Sequence, residues 1–181
     1  VTAIVGIEHE GHVWMGGDAA VTWPNHARIE ATSAKVWKSG EWVIGTCGSV
    51  RLGLLLRHAL TLPQPPDDED DLERFLTMEF TDAVRGVLLE SGTVHSKNNV
   101  EGMDGSEFLF GVRGELWLMQ EDFGIIRSAE RYAATGCGID LCLGSLYSSG
   151  VRSPKKRITE ALEAAAKHNA AVASPFTILK A

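Results

Sequence analysis

Two side chains near the start of the chain have types suited to nucleophilic catalysis, the hydroxyl of Thr2 and the carboxylate of Asp18, and a third, the ammonium of Lys35, is a charge that needs a partner. A hydroxyl is a weak nucleophile until a neighbouring base takes its proton, and a threonine at a chain terminus can use its own α-amine as that base. One short segment then holds nucleophile and base together. Asp18 closes the run Gly16-Gly17-Asp18, and a hairpin over the first eighteen residues returns it beside Thr2. Lys35 stands next to Val36 and Trp37 in what reads as a buried strand, where a charge is seldom tolerated without a partner. Asp18 can supply that partner. In structural terms the two are then a plain ion pair, with Asp18 capping a turn and Thr2 an ordinary strand threonine. In chemical terms, a cation near the terminal amine disfavours its protonated form and makes it a better base near neutral pH.

The elements that must hold these groups can be read from periodicity and punctuation. Residues 4–7 around Gly6 and the run Val13-Trp14-Met15 predict two buried strands, turned at Glu10-Gly11. Residues 19–33 are polar, with Trp23-Pro24-Asn25 marking a loop that lines a surface or cleft. A second hairpin is predicted from residues 35–38 and 42–47, turned at Ser39-Gly40-Glu41 and ended by Gly48 and Ser49. Leu52, Leu54, Leu55, Leu56, Ala59 and Leu60 then predict a helix too apolar for a surface, hence a sandwiched one. Pro63-Gln-Pro-Pro and the acidic run at 67–71 form the one linker-like stretch, and its charge suits the positive end of the next helix. In that helix Leu72, Phe75, Leu76, Phe80, Ala83, Val84, Val87 and Leu88 recur at three- and four-residue steps, which makes one apolar face. A polar loop is expected over 92–105, three strands over 106–112, 115–120 and 124–128, and a helix holding Leu141, Leu143 and Leu146. Ser153-Pro154 should cap and open the last long helix, and residues 176–179 form a closing strand. This order predicts two stacked sheets with helices on their outer faces.

Composition narrows the function. A chain of 181 residues, 44% hydrophobic and 23% charged, fits one globular domain over residues 1–181. Its net charge of −7, with no basic stripe to offset it, argues against nucleic-acid binding. Lys155-Lys156-Arg157 reads as the solvated first turn of a helix. Three cysteines without CxxC spacing give neither a disulfide frame nor a zinc site, and the six histidines show no metal-ligand spacing. A reducing, cytoplasmic setting with no cofactor, metal or membrane is expected, since no apolar run approaches the ~18 residues of a span and no signal peptide opens the chain.

The segments Thr2-Ala-Ile-Val-Gly, Gly16-Gly17-Asp18 and Ala34-Lys35-Val36 resemble the opening of proteasome β-subunits and HslV-type bacterial peptidases. Tyr132-Ala-Ala-Thr-Gly-Cys-Gly, an apolar helix ending at Tyr147-Ser148, and Glu163-Ala-Ala-Ala-Lys-His-Asn-Ala resemble later segments of the same family in the same order. The resemblance implies an α+β fold, the four-layer αββα sandwich of the N-terminal-nucleophile (Ntn) hydrolases. It also implies a threonine-type endopeptidase in which Thr2 attacks after removal of Val1, Asp18 and Lys35 orient and tune it, and the Gly48 N–H faces the oxyanion. A bland alternative for Gly48 is a glycine that opens a helix. Val21, Thr46 and Val50, with Lys35 at the base, would line an apolar pocket for the acyl side of the cut. A homo-oligomeric ring and a peptide or unfolded-protein substrate complete the implication, which leaves room for an ATPase partner. Three positions depart from the family pattern: Cys137 and Asn169 stand at supporting positions where it has serine and aspartate, and Val172 where it has a further serine. These departures keep open a second reading, a catalytically silent structural or assembly subunit.

Overall fold

The computed structural model describes residues 2–23, 27–67 and 71–181. In chain order the elements are β1 (Ala3–His9), β2 (His12–Asp18), β3 (Ala20–Thr22), β4 (Arg28–Glu30), β5 (Val36–Ser39), β6 (Trp42–Cys47) and α1 (Val50–His58). Then follow α2 (Leu72–Phe75), a π-helical segment (Leu76–Phe80), α3 (Thr81–Glu90), β7 (His95–Lys97), β8 (Val100–Gly102), β9 (Glu107–Val112), β10 (Glu115–Met119) and β11 (Ile125–Arg127). The chain closes with β12 (Tyr132–Gly136), α4 (Ile139–Ser148), α5 (Pro154–His168) and β13 (Phe176–Lys180).

Two antiparallel sheets dominate, a four-stranded one in the order β12-β1-β2-β13 and a five-stranded one in the order β11-β10-β9-β6-β5. Strand periodicity explains how they stack. Side chains alternate across a strand, so in β1 Ala3, Val5 and Ile7 pack against α4 and α5 while Ile4 points to the opposite sheet. In β6 and β9, Ile44, Phe108 and Phe110 face the helical layer of α1–α3, while Val43 and Leu109 face inward to meet Ile4, Val13 and Met15. Three apolar clusters therefore fill the three interfaces of a helix–sheet–sheet–helix sandwich. Strands buried on both faces account for the continuous apolar runs that mark β1 and β6 in the sequence.

The first hairpin turns as expected at Glu10-Gly11, where both residues take positive φ (50° and 72°), the two-residue turn whose twist suits adjoining strands. Several expectations need correction. Residues 19–33 are not simply a loop: β3 and β4 pair as a ribbon, Val21 opposite Ile29. Residues 92–105 likewise hold a ribbon, β7 with β8. Strands of three residues are too short to show the alternation that announces a half-buried one. Helix α1 is not sandwiched, because Leu52 and Leu56 are buried while Leu54 is 41% exposed. Lys35 lies just ahead of β5 rather than inside a strand. Ser153 occupies the N-cap position of α5 without a side-chain cap bond, and Pro154 fills the first turn. The exposed Lys155 and Lys156 match the solvated turn, but Arg157 folds back to donate to the Leu146 carbonyl. Pro24, Asn25, His26 and the centre of the acidic run, residues 68–70, lie outside the described residues.

The helix over 72–90 also differs from a uniform α-helix. Its fully buried residues Leu76, Phe80, Val84 and Leu88 recur at four-residue steps, and on an α-helix each such step drifts by roughly 40°. The π-helical turn over Leu76–Phe80 takes up part of that drift and keeps the stripe facing the sheet.

Candidate active site

The ends of β1 and β2 set the centre of the site. Thr2 immediately precedes β1 and is 4% exposed, while Asp18 ends the neighbouring β2 and is 1% exposed. Asp18 Oδ1 accepts a hydrogen bond from the Ala3 N–H at 2.9 Å, and Oδ2 accepts from the Ala20 N–H at 2.9 Å. Lys35 Nζ donates to Asp18 Oδ1 at 2.8 Å and to the Ala20 carbonyl. A carboxylate this deeply buried is tenable because a cation and backbone donors surround it. The ion pair expected from the sequence is thus formed one residue from Thr2.

Gly48 follows β6 at φ +94°, and a Cβ there would lie 2.4 Å from Ser106 Oγ and 2.7 Å from Ser106 Cα. The buried Ser106 hydroxyl accepts the Ser49 N–H at 3.0 Å, and Ser49 in turn N-caps α1. This fixes the loop in which Gly48 shares cleft walls with Thr2. Gly136, at φ +93°, is equally constrained, since a Cβ would approach the Thr2 carbonyl oxygen to 2.2 Å. Next to it, the exposed Cys137 donates Sγ–H to that same carbonyl at 3.4 Å, and Asn169 Nδ2 donates to the Cys137 carbonyl at 2.9 Å. Cys137 and Asn169 are therefore linked to Thr2, whereas Val172 is buried in the apolar layer under α5.

Two clefts meet at Thr2, Cys47 and Gly48. The first, about 490 Å³, is largely apolar and includes Val21, Thr46 and Val50, with Lys35 also on its wall. Thr46 is buried at 8% and Val50 stands on the rim at 59% exposure. Trp23, Ile29 and Leu54 extend the apolar lining, and Arg57 lies at its edge. The second cleft, also about 490 Å³, is bounded by Gly105, Glu107, Gly136, Cys137 and Ile139. Behind it Thr135 Oγ1 donates to Glu107 Oε2 at 2.6 Å and lies 3.3 Å from Cys47 Sγ. A hydroxyl has one hydrogen, so Cys47 must be the donor of the thiol–hydroxyl bond. Burial pushes the Cys47 thiol up from its ordinary value, which keeps that proton in place. Burial, followed by the charge of Asp18, pushes the Cys142 thiol up to about 12. Among the described residues no cluster of His, Cys, Asp or Glu could hold a metal ion, and no helix is long and apolar enough to cross a membrane.

No family model and no curated protein matches the sequence. Solved structures match over nearly the whole chain. Thiobacillus denitrificans BPH in complex with epoxomicin is similar at 16% identity and a TM-score of 0.79, covering 99% of this chain and 98% of that one. HslV from Trypanosoma brucei is similar at 14% identity and a TM-score of 0.70, covering 99% of this chain and 98% of that one. Anbu from Yersinia bercovieri is similar at 13% identity and a TM-score of 0.66, covering 99% and 81%. The fold is that of the proteasome-like Ntn hydrolases. At these identities the likeness is one of fold, and the roles of individual residues rest on their own geometry.

The sequence signals the groups on the first two hairpins, but not Ser106, Glu107 or Thr135. Ser106 reads as the start of a strand, and Thr135 as one residue of the segment Tyr132-Ala-Ala-Thr-Gly-Cys-Gly. Neither had a spacing signal, because their partners lie 57 and 28 positions away in the chain.

Proposed function

We propose that the protein is a threonine-type peptidase whose nucleophile is Thr2, carried on one proteasome-like domain over residues 1–181. The observation that carries this reading is the buried Asp18–Lys35 pair beside Thr2, at the junction of an apolar cleft and a glycine held at positive φ. Removal of Val1, which lies outside the described residues, would free the Thr2 amine. Thr2 Oγ then attacks the scissile carbonyl and passes its proton to that amine. The Gly48 N–H stabilises the oxyanion. Collapse of the tetrahedral intermediate breaks the C–N bond, the amine returns the proton to the leaving nitrogen, and an ester to Thr2 remains. Water, deprotonated by the same amine, hydrolyses the ester. Asp18 holds the start of β1 through the Ala3 N–H, and Lys35 supplies a positive field near the amine. Val21, Thr46 and Val50 favour an apolar residue on the acyl side.

The same reading assigns peptides or unfolded proteins as substrates and a homo-oligomeric ring that sequesters the nucleophile, with room for an ATPase that feeds it, in a cytoplasmic setting. Cys137, Asn169 and Val172 favour a second reading, a silent assembly subunit of this fold. Asn169 meets Cys137 as a neutral amide and Val172 offers no hydroxyl.

Protein beginning at Thr2, made by cleaving a fused carrier directly before it, separates the two. The peptidase hydrolyses a fluorogenic peptide with an apolar residue before the cut and binds epoxomicin, the compound held by the Thiobacillus neighbour. Its Thr2→Ala variant does not hydrolyse the peptide. A folded, oligomeric Thr2-started protein no more active than Thr2→Ala establishes the silent subunit instead. Light scattering that shows only a monomer at micromolar concentration would count against the ring.

A further inference from the structure

The second cleft is chemically unlike the first. Its one charged wall residue is Glu107, whose partners among the described residues include no basic side chain. The carboxylate is nonetheless fixed. Glu107 opens β9 directly opposite Cys47 in β6, one residue from Gly48. Its Oε2 accepts the single hydroxyl hydrogen of the buried Thr135, which is backed in turn by the Cys47 thiol. A carboxylate so held, with no cation partner among the described residues and on the wall of a cleft that it shares with Thr2, is poised to meet a positive group on a ligand.

The charge continues beyond the cleft. Glu107 also lines an adjoining depression of about 550 Å³, whose wall carries Asp104, Glu121 and Asp122 against Lys97 and His95. Glu101 lies there too, but it is held by Arg85 through two hydrogen bonds. The acidic excess therefore runs outward from Glu107, away from Thr2. The apolar cleft on the other side of Thr2 has no such run.

We infer that Glu107 is a specificity residue that selects a basic side chain on the leaving-group side of the cut. This rests on the peptidase reading, in which the cleft with Val21 and Val50 takes the acyl side and the cleft with Glu107 takes the residue that departs. A substrate lies across Thr2 with an apolar side chain in one cleft and a lysine or arginine in the other. Following residues, if basic, find the acidic depression. The carboxylate acts on binding and steering, so its effect weakens as salt rises.

Internally quenched peptides with one apolar acyl-side residue and arginine, alanine or aspartate after the cut test this on the Thr2-started protein. At low salt kcat/KM is expected to be about tenfold higher for arginine than for alanine, the scale of one favourable charge contact, and lowest for aspartate. In Glu107→Gln, which keeps an oxygen for Thr135, the arginine-to-alanine ratio falls below about twofold, and in Glu107→Lys the order inverts towards aspartate. A ratio of one in the unsubstituted protein, or an unchanged ratio in Glu107→Gln, overturns the inference. If no peptide is cleaved, the peptidase reading fails separately. Fluorescence anisotropy of the arginine and alanine peptides on Thr2→Ala, with and without Glu107→Gln, then decides the role of Glu107. Equal affinity for both peptides on Thr2→Ala overturns it.

Discussion

Replacing Lys35 with methionine keeps most of the side-chain length and removes the charge. The Asp18 side chain is 0% exposed, its Oδ1 lies 2.8 Å from Nζ, and Lys35 itself is 12% exposed, so water cannot stand in for the ammonium without opening the site. Removing one member of a buried pair costs about 3–5 kcal/mol, because the charge left behind is uncompensated. Here the Ala3 and Ala20 N–H groups continue to hold the carboxylate. The lower end, about 3 kcal/mol, is therefore expected. For a chain of this size that corresponds to a fall in Tm of roughly 6–12 °C, or to about 1.5 M in the urea midpoint at an m-value of about 2 kcal/mol/M. The reference variant is Lys38→Met, whose exposed ammonium donates to the Lys180 carbonyl and, among the described residues, makes no ion pair; it should shift stability by less than about 0.5 kcal/mol. Urea titrations followed by tryptophan fluorescence measure both. A Lys35→Met protein within about 1 kcal/mol of the parent would refute the argument that this pair holds the charge at the site. The claim concerns breaking the pair; an apolar replacement of both members is a different experiment.

Gly136→Ala should cost about 2–5 kcal/mol, combining strain at φ +93° with a Cβ 2.2 Å from the Thr2 carbonyl, while Gly150→Ala, with nothing within 4 Å, stays near neutral in the same titration. Gly86→Ala in the middle of α3, also with nothing within 4 Å, should raise stability by about 0.5–1 kcal/mol. Iodoacetamide at pH 8 should label the exposed Cys137 of the native protein and leave the buried Cys47 and Cys142 unmodified until denaturant is added, as peptide mass mapping would record. The Cys142 thiol, raised from 9.0 to about 12 by folding, contributes stability that is fully present below pH 9 and is lost as pH rises towards 12. Cys142→Ala should accordingly flatten that part of the alkaline stability profile.

The sequence by itself determined the alternating layers, because burial on both faces demands continuous apolar strands, and residues 4–7, 42–47 and 107–112 carry that mark locally. It also determined the first hairpin, where Glu10-Gly11 can take positive φ, and the pairing of Asp18 with Lys35, because neither charge is tenable alone in such surroundings. What it could not supply was anything that depends on two distant strands meeting. The ribbons β3–β4 and β7–β8 have strands of only three residues, too short for a period to announce them. The exposure of Leu54 followed from which side of α1 met the five-stranded sheet. Gly136 was legible as a glycine, but only the approach of the Thr2 carbonyl explains why it has no side chain. Glu107 illustrates the limit most fully: as one acidic residue at the head of an apolar strand it carries no signal in the chain. The register of β9 against β6 sets it opposite Cys47, and the pairing of β12 with β1 brings Thr135 to hold it. Those contacts arise from sheet order, which long-range packing decides.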